Sequence, residues 1–357
     1  MYYNNRKCWL TATLLLGVCQ VSADVNFDLS LTPHSHAPIG VMGDHLHKDG
    51  EFMVSYRFMD MAMAGNLQGD NSISNDDIVT TVANPYANPP MSPPTVRVVP
   101  QEMSMKMHMV GMMYAPTDNI TLMAMLNYVS NDMQLLTYQG GMGTEPLGEF
   151  ITESSGLADS KLSALIGIAD DGTHKWHANI GLTLPTGATD EKQEVLTPMG
   201  MRMEMRLPYS MQLGGGSYRL SAGLTYTGRY DDVSWGAQFV YDTAMDDADE
   251  GYQWGAQSSV TAWLAKQVSG QASLSLRTVY TSSDELSGSD DVIVAPVTTA
   301  NPANYGKDLW EIALGTNLVF AGKHRIAVEY LIPIQQDVNG VQMELDKTLV
   351  MGYQISF

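Results

Sequence analysis

The chain has 357 residues, 44% of them apolar, with 39 acidic against 19 basic side chains and a formal charge of −20. That surplus of acid argues against nucleic acid or an anionic lipid surface as a partner. No run approaches the ~18 to 20 apolar residues of a spanning helix, yet mean hydropathy is near neutral, as it is when only alternate residues of strands face lipid.

The first predicted element is a leader over residues 1–23. Arg6 and Lys7 precede an apolar run from Trp9 to Val18, and Val21-Ser22-Ala23 stand before Asp24, the order of a secretory signal peptide. Leu16-Gly17-Val18-Cys19 also permits a lipoprotein reading, which Val18 fits poorly. Cys8 and Cys19 are the two cysteines, so the exported chain is expected to lack disulfides, thiol catalysis and thiolate metal sites. Residues 24–50 follow as a His-rich segment, periplasmic or a plug, and 51–357 as the barrel.

From Glu51 onward, stretches of two-residue alternation are separated by turn-forming residues. The predicted strands run Glu51 to Met63, Met103 to Tyr114, Asn119 to Ser130, Asp159 to Ala169, His174 to Leu184 and Ser217 to Gly228. Six more run Asp232 to Asp242, Gln253 to Ala265, Ser269 to Ser282, Asp308 to Phe320, Lys323 to Ile332 and Asp346 to Phe357. Connections such as Asp170-Asp171-Gly172-Thr173 and Ala321-Gly322 are tight, whereas Ala64 to Glu102, Val129 to Ala158, Pro185 to Gly216 and Ser283 to Lys307 are long. Short turns on one side and long loops on the other predict an all-β fold, a transmembrane antiparallel β-barrel of about 12 strands in the bacterial outer membrane. The turns would be periplasmic and the loops extracellular.

Alternation assigns the faces. Trp176, Ala178, Ile180 and Leu182 oppose His177, Asn179, Gly181 and Thr183, and period two sends the first set to lipid and the second to the lumen. The chain ends with Tyr353, Ile355 and Phe357 on one face, which resembles the C-terminal signal read by the barrel-assembly machinery. Outer-membrane lipid and lipopolysaccharide are the other expected macromolecular partners, with divalent ions bridging loop acids such as Asp246-Asp247 and Asp290-Asp291, or those loops simply solvated.

Gly156-Leu157-Ala158-Asp159 and Leu184-Pro185-Thr186-Gly187, continued by Gly215-Gly216-Ser217-Tyr218, resemble the MetA-pathway-of-phenol-degradation family. The resemblance covers roughly Ser154 to Phe357, with Ala158 where the pattern has glycine. It implies a transporter-like outer-membrane barrel for small hydrophobic or aromatic compounds and no catalytic residue.

The expected path runs along inward positions: Arg57, Met59, Met61, Lys106, His108, Met123, Met125, Lys161, His177, Arg219, Asp242, Arg277, Glu311 and Glu329. Opposite charges among these are expected to pair and narrow the lumen, and thioethers offer an adaptable apolar surface. Met103, Met105, Met107 and Met109 are assigned to lipid because Ser104, Lys106 and His108 alternate with them. Asp60 then falls on the lipid face, so its strand must leave the hydrocarbon or bulge there. His34, His36, His45 and His47 could bind copper or zinc, since imidazole suits both, or could make ordinary hydrogen bonds in a plug. A phospholipase or protease barrel would need a histidine toward the outer leaflet or rim, and none is expected there, so no enzyme is predicted. The leading reading is a channel for small apolar solutes, the alternatives a metal-binding barrel and a structural one.

Overall fold

The computed structural model describes residues 32–357, so the expected leader and the start of the His-rich segment lie outside the described residues. The first strands are β1 (Phe52–Gly69), β2 (Val98–Thr117), β3 (Ile120–Tyr138), β4 (Pro146–Leu157), β5 (Ser160–Asp170) and β6 (His174–Leu184), all but β4 where the alternation places them. The hairpin β7 (Lys192–Leu196) and β8 (Arg202–Arg206) lies inside a long loop. Then come β9 (Arg219–Tyr230), β10 (Val233–Ala244), β11 (Gln257–Gln267), β12 (Ala272–Ser283), β13 (Lys307–Phe320) and β14 (His324–Ser356).

Apart from β4, β7 and β8, each of these pairs antiparallel with its neighbour in sequence, and β14 returns to β1, closing one barrel of eleven continuous strands. The last of them is 33 residues long and turns at Asn339 and Gly340, where Gly340 has φ +61°. Its first arm pairs β13 from His324 to Val338 and its second pairs β1 from Val341 to Ser356. Twelve arms therefore cross the barrel wall. Closure avoids the unpaired strand edges that lipid cannot hydrogen-bond. At the seam the Phe357 amide donates to the Phe52 carbonyl at 2.8 Å.

The strands are anchored by tight turns at one end. Ala321 and Gly322 both have positive φ, 51° and 70°, within the three-residue turn that separates the Phe320↔His324 pair. The opposite ends carry the long connections, and here the structure extends the sequence reading. β3 continues eight residues past Ser130 and pairs with β4 from Tyr128↔Leu157 to Tyr138↔Pro146, so most of the expected Val129 to Ala158 loop is strand. β1 and β2 likewise run on to Gly69 and back to Val98, leaving a shorter connection with a helix, α1 (Asn75–Thr81), capped by Ser74.

Outward positions form an apolar band of leucines and tyrosines, among them Leu122, Leu126, Leu162, Leu224, Leu264, Leu276 and Leu314, with Tyr114, Tyr241, Tyr330 and Tyr353. Inward positions are small, polar or charged: Ser221, Thr225, Gln238, Thr261, Ser275 and Asn317 are buried. This alternation is what a barrel in hydrocarbon requires. The chain is an outer-membrane β-barrel.

One strand reverses its expected phase. In β2 the odd residues face inward: Met103 and Met113 are buried, while Lys106, His108, Val110, Met112 and Tyr114 are exposed. The register explains the reversal. Lys106 stands opposite Asp60 and His108 opposite Phe58, so pairing in the only phase that sends Tyr114, Met112 and Val110 to the lipid carries Lys106 and His108 outward with them. Asp60 and Lys106 share the level at which the outer band gives way to Ser130 and Lys347, where β1 to β3 leave the hydrocarbon. His108 is satisfied there by the Tyr56 hydroxyl, 2.7 Å from Nδ1, beside the rings of Phe58 and Tyr128.

Candidate functional site

Residues 32–50 enter the lumen from the short-turn end and fill it. The backbone doubles back at a turn in which the Val41 amide donates to the Pro38 carbonyl. Gly40 sits near its tip, where its amide donates to Glu329 Oε2 at 2.9 Å and where any side chain would collide with the Arg277–Glu329 pair. Apolar residues anchor the segment between these polar contacts. Ile39 packs with Ala313, Ala327, Leu331 and Val350, Ala37 and Val41 with Trp263, and Leu46 with Met53, Met113 and Leu165.

The inward charges grip this segment. Arg277 makes a bidentate pair with Glu329, at 2.7 and 2.8 Å, in a buried setting. Such a fork matches carboxylate geometry, and loss of either partner would strand a charge. Arg325 donates to Asn317, Gln354 and the Ala37 carbonyl. Arg57 contacts the Met42 sulfur, and His177 and Gln238 reach the Gly43 and Met42 carbonyls at 2.9 Å. Arg219 pairs with Asp242 at 2.5 Å further toward the loops. Glu311 is buried on the inner wall and Lys161 faces inward beside Met125. The expected lumen residues therefore face the lumen, except Lys106 and His108.

The histidines divide in the same way. His36, His45 and His47 gather inside, whereas His34 leaves them: its Nε2 meets the Asp231 carbonyl at 3.0 Å, at a tight turn. His174 and His324 lie on the outward face at the short-turn end, each with Nδ1 against a tyrosine hydroxyl, Tyr226 and Tyr353, at 2.8 and 2.7 Å. Burial, then neighbouring His45 and Arg325, lowers the His36 pKa to about 3, and burial lowers that of His47. Asp44 is held well below the usual carboxylate range: burial alone would raise it, and His45 and His36 outweigh that. A cavity of about 510 Å³ lies beside these groups and reaches the turn residues Asp118, Asp170 and Arg229.

Above the segment, the reversal of β2 creates a continuous thioether surface. Met59, Met61 and Met63 of β1 stand opposite Met107, Met105 and Met103 of β2, and Met103 and Met113 stand opposite Met133 and Met123 of β3. Met125 adds to it from the same face. The four methionines assigned to lipid from the sequence are thus its centre. Val110, Met112 and Tyr114 on the opposite face are the one hint of this phase that the sequence carries, and the pairing with β1 decides it.

This surface leads into an apolar cluster under the long loops. Met103, Met133, Leu135 and Phe150 of the projecting strands pack with Leu207, Tyr209, Met211, Tyr252, Leu286, Ile293 and Val297, with Met63 and Met105 at its edge. A small apolar pocket between Met133, Leu135, Phe150, Leu196, Leu207 and Val297 opens within it. The acidic loops are not wholly solvated: Asp290 is buried and paired with Arg206 at 2.7 Å.

The residues of the family resemblance meet at the base of these loops. Asp159 accepts from the Gly187 and Gly215 amides at 3.0 and 2.8 Å, and Thr186 Oγ1 donates to the Ala158 carbonyl. A Cβ on Gly187 would lie 2.5 Å from the Leu213 carbonyl oxygen, so the two backbones meet where only glycine fits. The motif is a structural knot that fastens the loop after β6 to the loop before β9.

No protein-family profile matches the chain, and no curated protein is similar to it in sequence. Solved structures do resemble its fold. A COG4313 outer membrane channel from Pseudomonas putida is 12% identical, with a TM-score of 0.55 over 89% of this chain and 99% of that one. The CymD monoaromatic hydrocarbon channel gives 8% identity and a TM-score of 0.45 over 93% and 99%. The β domain of the Bordetella autotransporter BrkA gives 10% and 0.43 over 87% and 100%. At 12% identity the likeness to the Pseudomonas putida channel is one of fold.

Proposed function

We propose that this barrel is an outer-membrane channel for small apolar solutes, aromatic ones included. The observation that carries the reading is the thioether wall of β1, β2 and β3, which runs from the apolar cluster beneath the loops down to the plug. Flexible, polarisable methionines re-pack around apolar guests and make favourable contacts with aromatic rings. Glu329 and Arg325, on strands away from this wall, bond the Gly40 amide and the Ala37 carbonyl, and Arg277 holds Glu329 in place. The wall meets the segment through Ile39 near Met59, Met42 against Arg57, and Leu46 against Met53 and Met113, and the His47 amide donates to Thr121 Oγ1 of β3 at 2.9 Å. A solute sliding along the methionines therefore has apolar contacts, the Arg57–Met42 contact and one buried hydrogen bond to part at the plug. Paired charges and the inserted segment share the lumen, which favours an apolar solute over hydrated ions. The resemblance to the MetA-pathway-of-phenol-degradation family and the fold of the Pseudomonas putida outer membrane channel agree with this reading.

The test is initial uptake of a radiolabelled monoaromatic hydrocarbon by Gram-negative cells expressing the protein, beside conductance in planar bilayers. Expression should raise uptake while ion conductance stays near the bilayer baseline. The double variant Met61→Asp/Met105→Asp should lose most of the gain, on the order of tenfold, because a carboxylate on the wall must be dehydrated for an apolar guest to pass. Equal uptake by the variant and the parent barrel would sink the methionine path.

A further inference from the structure

The cluster inside the plug has the make-up of a metal centre rather than of a hydrogen-bonded filler. One ligand atom from each of His36, Asp44 and His45 lies within 4.8 Å of the other two. His36 and His45 have ring centroids 4.3 Å apart, edge to face, and the His47 ring follows at 4.7 Å from that of His45. Asp44 is buried, and its two oxygens serve different partners: Oδ1 meets His45 Nδ1 at 2.9 Å and Oδ2 accepts from the Ala37 amide at 2.9 Å. His36 Nδ1 is 3.7 Å from Asp44 Oδ2, beyond hydrogen-bond reach.

A second observation is independent of the clustering. His36 Nδ1, His45 Nε2 and His47 Nε2 are buried without a hydrogen-bond partner. Unpaired buried nitrogens are costly in a site that serves only packing, and three on adjacent imidazoles call for a shared acceptor of lone pairs. The hydrogen-bonding alternative accounts for His177, which reaches a backbone carbonyl. His34 also keeps a buried Nδ1 without a partner, but its Nε2 meets the Asp231 carbonyl and its ring stands apart, whereas the rings of the other three adjoin one another.

We propose that His36, His45 and Asp44 bind a zinc-class divalent ion, with His47 poised as a further ligand. Two imidazoles and a carboxylate suit a borderline ion of this kind, and a three-residue set leaves a coordination position open. That position faces the cavity that reaches the turns at Asp118, Asp170 and Arg229, through which the ion arrives from the short-turn side. Asp44 and Glu329 offset the guanidinium charge of Arg57 and Arg325 around it, and Glu51 pairs with His47 at 3.1 Å. His36 lies before the turn of the inserted segment and Asp44 and His45 after it, so the ion staples the two limbs of the plug together. Binding therefore sets how readily the plug yields, whatever the solute.

The experiment is zinc titration of the chelator-stripped, detergent-solubilised mature protein by calorimetry, with calcium as a competing arm. The expected result is one zinc per chain, undiminished by excess calcium, and a thermal midpoint that rises with zinc. His36→Gln/His45→Gln should weaken binding at least tenfold and abolish the thermal shift, whereas His34→Ala should change neither. Gel mobility of unheated samples reports that each variant still forms the barrel. If the double variant does not fold, cobalt(II) added to the unaltered protein gives the second readout, an intense visible absorption expected from a low-coordinate nitrogen and oxygen site. Substoichiometric zinc, displacement by calcium, an equal loss in His34→Ala, or only the weak absorption of hydrated cobalt would each overturn the proposal.

Discussion

The two ends of the lumen are closed by opposite chemistries. At the short-turn end, a glycine-tipped segment is held by Arg277, Glu329, Arg325, Gln238 and His177 through directed hydrogen bonds. At the long-loop end, closure rests on contact among Met133, Phe150, Leu207, Tyr209, Met211 and Ile293. Polar closure fixes one geometry, because every buried donor demands its acceptor. Apolar closure tolerates re-packing, since any shape of similar volume satisfies it. The contrast suits a molecule that admits varied apolar guests at one face and controls their release at the other.

Breaking the polar end should produce the largest effect. Glu329→Ala strands buried Arg277 and removes the acceptor of the Gly40 amide, with an expected cost of ~3 to 5 kcal/mol. The shift between folded and unfolded gel bands with temperature reads it. A loss no greater than that of Asp232→Ala, whose Lys266 partner is exposed, would show that the pair does not hold the plug end. At the apolar end, Met211→Ala removes a fully buried side chain from the loop cluster, and ~2 to 4 kcal/mol is expected. Its signature is local: faster proteolysis within residues 185–216 while the barrel keeps its gel mobility. The comparison is sharpened by the smallest effect, that of Lys106→Ala. An exposed outward residue should move stability by no more than about 0.5 kcal/mol and leave aromatic uptake unchanged. A large loss of uptake would return Lys106 to the lumen and undo the phase of β2.

What the sequence made legible follows the same division. Alternation in β6 and β10 puts His177 and Asp242 on the face that the structure turns inward, because the opposite face of each strand is plainly apolar. β2 carries apolar side chains on both faces, so hydrophobic pattern alone left its phase open, and the local polarity of Ser104, Lys106 and His108 pointed the wrong way. Only the pairing of Tyr114 with Phe52 and of Met112 with Val54 fixes it. The extension of β3 and β4 beyond Ser130 was hidden for a related reason. Outside the membrane the outward residues are Asp132, Gln134 and Glu149, which read as loop when scored against lipid. The His-rich segment was visible as a cluster, but not that His34 stands apart, since that depends on where Asp231 turns.

The inserted segment enters and leaves at the same end. His34 meets Asp231 at one tight turn, and the Asp49 amide donates to Asp118 at another, while the tip at Gly40 reaches Glu329 inside. It is a dipped loop and not a thread drawn through the tube. A threaded chain would have to be in place before the first and last strands join, and could be cleared only by reopening the seam. A dipped loop imposes no such order. The wall can be completed with its interior vacant, the loop can follow afterwards, and it can be withdrawn and replaced many times while every inter-strand bond stays made.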